Sequence, residues 1–484
     1  MLSKIKNIFP QSFKRLPYIQ IAFFICFVYW FFLAAVSETV VAYDSIGYEN
    51  LGTLLKEKGW IEYFTTGPQR EPAYPLILSW AMHIGQFFGT TYQTVLIFFQ
   101  LGLLYLSQIL TIKILKRIRI SKILVAFVIL YQGFSPALVG AAFRVYSEIL
   151  TIPLSLLIIL ASHRAWGSLF QKQRQAALGA LALALSFLLM LMVKGIFELI
   201  TPLFLCAWVL YFLFNIKKER TYLANLGIFL LTFIVIFYGS VHLYKSLNKK
   251  YNGEYTLTDR GAWALYGNTS RRMEPLTWPR FKAALASVPG WGTCYQLVGP
   301  EACQFWSYTE SDNRGSQKRH ELEVQGLSKE ALNRTLINFS ISEAMKNPLQ
   351  YALLALVESL KLFFWESLEV TLTIFPRPVL RVYNLNFLRS FIYFAAPLLT
   401  ISSVLYGGFC LLKNKGRRST DKTSSQTIIV RSILIFLICY LASHSMFLVD
   451  PRYSLPLSPL YIVLITLMLQ KIFSIRLPNV FHND

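Results

Sequence analysis

Apolar runs long enough to cross a bilayer recur along this chain, and in hydrocarbon each must satisfy its own backbone polar groups, so the fold has to be helical. Leu16 to Val36 opens the series. It continues with Tyr92 to Ile112, Ile123 to Ala141, Ile149 to Ser162, Ala176 to Val193, Ile196 to Asn215 and Leu223 to Leu243, then Phe391 to Leu412, Ile428 to Leu448 and Leu455 to Ile472. With 55% of 484 residues hydrophobic and only 15% charged, the chain carries more apolar surface than one soluble core can hide. An all-α polytopic membrane protein with about 10 to 12 membrane helices is predicted.

A formal net charge of +22 would suggest nucleic acid in a soluble protein, but here Lys and Arg gather at the ends of apolar runs, where they set orientation. No nucleic-acid partner is expected. Lys4, Lys6, Lys14 and Arg15 precede a first run too long for a signal-peptide core, which reads as an uncleaved anchor with a cytoplasmic N-terminus. Placing the basic turns Lys113 to Lys122, His163 to Arg174, Lys217 to Arg220 and Lys413 to Arg418 in the cytoplasm sends the loop after the first run outward. Two segments resist this count. Ala73 to Phe88 fits an interfacial or re-entrant helix. Tyr351 to Phe375, with Glu358, Lys361, Glu366 and Glu369, leaves its crossing open.

Three units are expected: an N-terminal membrane module (1–244) with a first external loop (39–72), an extracytoplasmic loop domain (245–350) and a C-terminal membrane module (351–484). The central stretch mixes Trp263, Trp278, Trp291 and Trp306 with glycines and prolines, which suits a compact lid. Lys329 to Met345 has the spacing of an amphipathic helix. Cys26, Cys206, Cys410 and Cys439 fall in apolar runs, whereas Cys294 and Cys303 lie close together in the loop domain and are a candidate disulfide, two free thiols being the alternative. There is no Cys/His pattern for zinc, no phosphate-binding Gly-rich loop and no nucleophilic-serine elbow.

Chemistry concentrates at the ends of the runs. The first loop holds Tyr43-Asp44-Ser45-Ile46-Gly47-Tyr48, then Gly59-Trp60, Arg70-Glu71-Pro72-Ala73-Tyr74-Pro75 and Gly89. Arg144-Val145-Tyr146-Ser147-Glu148 stands at the mouth of a helical hairpin, and Asp450-Pro451-Arg452-Tyr453-Ser454-Leu455-Pro456 precedes the last run. This ordered set resembles the integral-membrane glycosyltransferases of the GT-C superfamily, and is most similar to the protein-mannosyltransferase and lipid A aminoarabinose-transferase branch.

The resemblance implies transfer of a sugar from a polyprenyl-phosphate donor to a glycan, lipid or protein acceptor at the extracytoplasmic face of a bacterial inner membrane. No cofactor and no metal are implied. Asp44 would be the general base, with Arg70, Glu71, Arg144, Glu148, Lys194, Arg452 and Tyr453 contacting donor phosphate or sugar. Ser45 stands where relatives often have a second acid, which favours a single-base, metal-independent mechanism. Each residue also has a plain role. Asp44 could cap a helix, Arg70–Glu71 and Arg144–Glu148 could pair locally, Lys194 could snorkel and Arg452–Tyr453 could anchor an interface. Two other functions share these features: a lipid-linked saccharide transporter or flippase, which needs no base, and an oligosaccharide polymerase or ligase, which would draw on loop-domain arginines such as Arg271, Arg272 and Arg314.

Overall fold

The computed structural model describes residues 18–215, 220–367, 373–414, 424–447 and 449–476. The N-terminal basic residues, Glu369 and most of the Lys217 to Arg220 and Lys413 to Arg418 turns lie outside them. Helices are numbered in chain order. α1 (Tyr18–Val36) shows how a span is written into sequence: Ala22, Cys26, Trp30 and Leu33 recur at helical spacing and are buried, while Phe24, Phe27 and Phe31 face outward. Trp30 ties that buried stripe to the next layer by donating to the Gly133 carbonyl at 2.8 Å.

α2 (Asp44–Thr66) and α3 (Ala73–Phe88) follow and pack on each other, and α4 (Tyr92–Arg117) packs in turn on α3, where the Tyr74 hydroxyl donates to Gln100 at 3.0 Å. α5 (Lys122–Phe134) returns and bends by 55° into α6 (Pro136–Ala142), where Pro136 has no N–H to continue the ladder and Ser135 accepts from the Leu138 N–H instead. α7 (Glu148–Ser168), α8 (Gln173–Leu191), α9 (Phe197–Asn215) and α10 (Arg220–Asn252) complete the first group.

Seven shorter helices come next: α11 (Arg260–Arg272), α12 (Trp278–Ala286), α13 (Trp291–Val298), α14 (Pro300–Phe305), α15 (Tyr308–Val324), α16 (Lys329–Lys346) and α17 (Pro348–Ser359). Trp263 and Trp306 are buried among them, and Cys294 and Cys303 are disulfide-bonded. The chain then passes through α18 (Arg377–Tyr383) and α19 (Asn386–Ser390) into α20 (Ala396–Asn414), α21 (Ser425–Met446) and α22 (Ser458–Arg476). The one sheet among the described residues pairs Glu38 with Ile374 and Thr39 with Thr373.

Among the described residues, eight helices are long and apolar enough to cross a membrane, or nine if α5 and α6 form one bent span. A shorter apolar helix, Ser458–Ser474, packs beside them. The protein is thus an all-α polytopic membrane protein. Hydrogen bonds between distant segments show which helix ends share a side. At one end, Asn225 donates to the Leu169 and Gln171 carbonyls, and Gln470 accepts from the Ser121 N–H and donates to the Arg119 carbonyl. At the other end, Ala73 N–H donates to Met192 and Asp259 N–H to Pro68. Neither α3 nor α17 is among the candidate spans. The shorter helices sit on the end of α21, where Asn268 donates to the Phe447 carbonyl and Arg272 to that of Ser445, both at 2.6 Å.

Candidate functional site

The loop after α1 turns sharply at Ala42 to Ser45, closed by the Ser45 N–H donating to the Ala42 carbonyl. Tyr43 occupies the second position of this turn with φ 54° and ψ −123°, a conformation in which glycine dominates. The turn delivers Asp44 as the first residue of α2. Its side chain makes no capping bond: Tyr43 is the residue in the cap position. The carboxylate goes to arginines instead.

Three arginines from distant segments surround it. Arg70, in the loop before α3, donates to Asp44 Oδ1 at 2.5 Å; Arg452, after α21, reaches Oδ2 at 2.8 Å; and Arg260, at the start of α11, lies 4.0 Å from Oδ1. Burial pushes the Asp44 carboxyl up, but Arg452, Arg70 and Arg260 outweigh it and hold it well below the usual carboxylate range. The cluster is not sealed. The Asp44, Arg70 and Arg452 side chains remain 20%, 17% and 21% exposed. Aromatic faces fix the cations: Arg70 lies 5.0 Å from the Tyr48 ring centroid, and Arg452 lies 5.7, 5.4 and 5.2 Å from those of Tyr146, Tyr308 and Tyr453. Asp450 sets the Arg452 backbone by accepting its N–H at 3.0 Å.

A second ion pair adjoins the first. Lys194, in the short link between α8 and α9, donates to Glu148 Oε1 at 2.8 Å, and its Nζ lies 5.8 Å from the Tyr453 ring centroid. Burial opposes charge on Lys194, yet Glu148 more than compensates and its ammonium is held above the ordinary lysine range. The local pairings open to sequence are therefore replaced by longer ones. Glu148 is bound by Lys194, Glu198 by Lys245, and Glu71 accepts the Gly195 N–H at 2.5 Å. Arg144 is buried, and its backbone carbonyl accepts from Gln100 at 3.0 Å.

Asp44, Arg70, Arg452, Tyr453, Lys194 and Glu148 thus meet in one place, with Glu71 bracing the link that carries Lys194. Sequence reasoning missed Arg260 and Tyr308. The only local signal was the polar Thr258-Asp259-Arg260-Gly261 stretch just beyond α10.

A second arginine cluster lies inside the short-helix region. Arg271 donates to Glu358 Oε1 at 2.5 Å and Arg272 to Oε2 at 2.7 Å, all three side chains being 0% exposed. Lys361 Nζ is 3.7 Å from the same carboxylate. Burial raises Glu358, but Arg271, Arg272 and Lys361 bring it down to about 2. Arg314 is taken by Glu310 and Glu274. Elsewhere, a cavity of about 450 Å³ is lined by Tyr29, Tyr131, Phe134, Glu366, Tyr383 and Ile392 among others; none of the residues predicted from sequence for the site lines it.

Fold and site together define a class: a helical membrane protein with an open, arginine-rich polar site at one end of its bundle. No protein-family model matches the chain, and no curated protein matches it either.

Proposed function

We propose that the protein is a membrane glycosyltransferase that moves a sugar from a polyprenyl-phosphate donor to an alcohol on an acceptor glycan, lipid or protein. The observation that carries this reading is the gathering of Arg70, Arg260 and Arg452, from three distant segments, around one carboxylate that stays partly open. Three guanidinium groups face Asp44 and Asp450, the latter 4.0 Å from Arg452, and all three stay partly exposed. A phosphate with a lipid tail can approach from the bilayer and bind them through planar donors.

The charge balance also favours reaction. A sugar phosphodiester carries one negative charge, and the phosphate left when the sugar departs carries about two at neutral pH. Cations positioned there bind the transition state and product better than the donor, which is what catalysis requires. The new bond joins the acceptor oxygen to the sugar's anomeric carbon. The breaking bond leaves its electron pair on the phosphate oxygen, and a carboxylate takes the acceptor proton. Asp44 is the sequence candidate for that base. In the resting site both its oxygens carry charged bonds, so a donor phosphate would have to draw Arg70 and Arg452 away first.

Orientation supports an extracytoplasmic site. Lys116, Arg117, Lys122, Arg164 and Arg174 cluster at helix ends and turns away from Asp44, and the positive-inside rule assigns those ends to the cytoplasm. The polymerase or ligase alternative gains nothing from Arg271 and Arg272, which are 0% exposed around Glu358, or from Arg314, which Glu274 and Glu310 hold.

The test is turnover by purified protein in nanodiscs, given polyprenyl-phosphate sugars and envelope lipids and saccharides as an acceptor pool. A transferase releases polyprenyl phosphate, and Asp44→Asn and Arg452→Ala slow the release by about a hundredfold, to a rate still measurable, while the fold is retained. A transporter binds the donor and leaves it intact, and that result would replace this reading.

A further inference from the structure

Asp44 is better suited to gathering arginines than to accepting a proton, because Oδ1 is held by Arg70 and Oδ2 by Arg452. A second carboxyl stands on the wall built by the short helices. Along α15, Tyr308, Ser311, Asp312, Gly315 and Arg319 recur at spacings of three and four, which puts them on one face. That face crosses α11 at backbone contact. A Cβ on Gly267 would lie 1.9 Å from the Ser311 carbonyl oxygen, and one on Gly315 2.3 Å from that of Trp263. Arg319 fastens the crossing by donating to Asp259 at 3.0 Å.

Asp259 immediately precedes Arg260, so the contact that fixes Asp312 also fixes the third arginine of the site. Tyr308 starts the same face. Its ring lies 5.4 Å from the Arg452 guanidinium, and Asp312 follows one helical turn later. The charged groups around Asp312 are Arg260 on α11, Asp44 on α2 and Arg70 in the loop before α3. Asp312 is therefore a member of the same polar site, brought to it by the short helices rather than by the loop after α1.

We infer that Asp312 is a further catalytic residue, whose carboxylate takes the proton of the acceptor hydroxyl while Asp44 holds the arginines for the donor phosphate. This rests on the transferase reading above. The acceptor O–H bond breaks toward Asp312, the acceptor oxygen bonds the anomeric carbon, and the carbon–oxygen bond to phosphate breaks with its electron pair going to phosphate. Atoms and charge balance without a metal or co-reactant. Burial moves the Asp312 carboxyl up from its usual value while the arginines move Asp44 down, so Asp312 is the more basic of the two.

The experiment compares Asp312→Asn, Asp312→Glu and Asp44→Asn as full-length protein in nanodiscs, using polyprenyl-phosphate sugars with the envelope acceptor pool for turnover and polyprenyl phosphate alone for binding. Asp312→Asn is expected to lower kcat by about a hundredfold or more, the range general-base removal produces, with binding of polyprenyl phosphate and melting temperature kept. Asp312→Glu restores part of the rate, and the acid limb of the kcat–pH profile disappears in Asp312→Asn but survives in Asp44→Asn. Wild-type turnover by Asp312→Asn overturns the inference and leaves the transferase reading standing. So does a loss of rate that tracks lost binding or lost stability, or an acid limb that vanishes only in Asp44→Asn. Absence of release by the wild type with every donor defeats the transferase reading and this inference with it.

Discussion

Two clusters in this molecule share a recipe, arginines gathered round one carboxylate, and differ in access. Around Glu358 the side chains of Arg271 and Arg272 are sealed at 0% exposure, and Asn268 and the Ser307 and Ser445 carbonyls take further guanidinium donors. Around Asp44 about a fifth of each partner stays open, although aromatic rings flank the cations of both clusters. The difference teaches that burial decides what such charge is for. A sealed pair joins helices, and an open one can exchange its carboxylate for another anion.

The largest effect expected from this contrast is at Glu358. Replacing it with Gln leaves two buried guanidinium groups without their counter-ion, which costs about 3–5 kcal/mol. A sharp fall in melting temperature or loss of folded protein on size exclusion checks it, and a wild-type melt would erase the distinction between the clusters. Arg452→Ala should do the opposite. It is expected to keep the melting temperature within a few degrees and to lose about 3–4 kcal/mol of transition-state stabilisation, read as a fall of a hundredfold or more in polyprenyl phosphate release.

Acid sharpens the comparison further. Glu358 is drawn from an ordinary value of 4.5 down to about 2, so its contribution to stability is complete above pH 4.5 and fades as pH falls through that lower value. Melting curves should therefore show a loss between these limits that is missing in Glu358→Gln. A smaller loss follows reduction of the Cys294–Cys303 bond. It closes a short loop, so cutting it should loosen α13 and α14 by about 2–3 kcal/mol, seen as faster local hydrogen exchange with the Asp44 site unchanged. Smallest is Tyr43→Gly, which relieves a positive φ and should stabilise the turn by about 1 kcal/mol, checked by a slightly raised melting temperature.

How much was legible in the sequence follows the same divide. The spans were readable because hydrocarbon forces long apolar runs, and the burial stripe of α1 repeats what its spacing says. Asp44, Arg70 and Arg452 were readable because each sits at the end of a run, where a charge is conspicuous. Their mutual contact was not, since three segments far apart in sequence must fold to make it. Arg260 and Asp312 were invisible for another reason. They lie on short polar helices, where ionisable residues are ordinary, and only the glycine crossing of α11 and α15 gives them a place. Arg271, Arg272 and Arg314 show the converse, cations that attract attention in sequence and turn out to be spoken for by Glu358, Glu274 and Glu310.

The central claim, that the open cluster is a phosphate site, is tested most directly by the binding of polyprenyl phosphate to the purified protein in nanodiscs, titrated in wild type, Arg452→Ala and Arg314→Ala. Saturable binding by the wild type that weakens by at least about tenfold in Arg452→Ala, close to 1.4 kcal/mol, and is untouched in Arg314→Ala is the predicted result. Equal binding by wild type and Arg452→Ala, or a loss confined to Arg314→Ala, would contradict it.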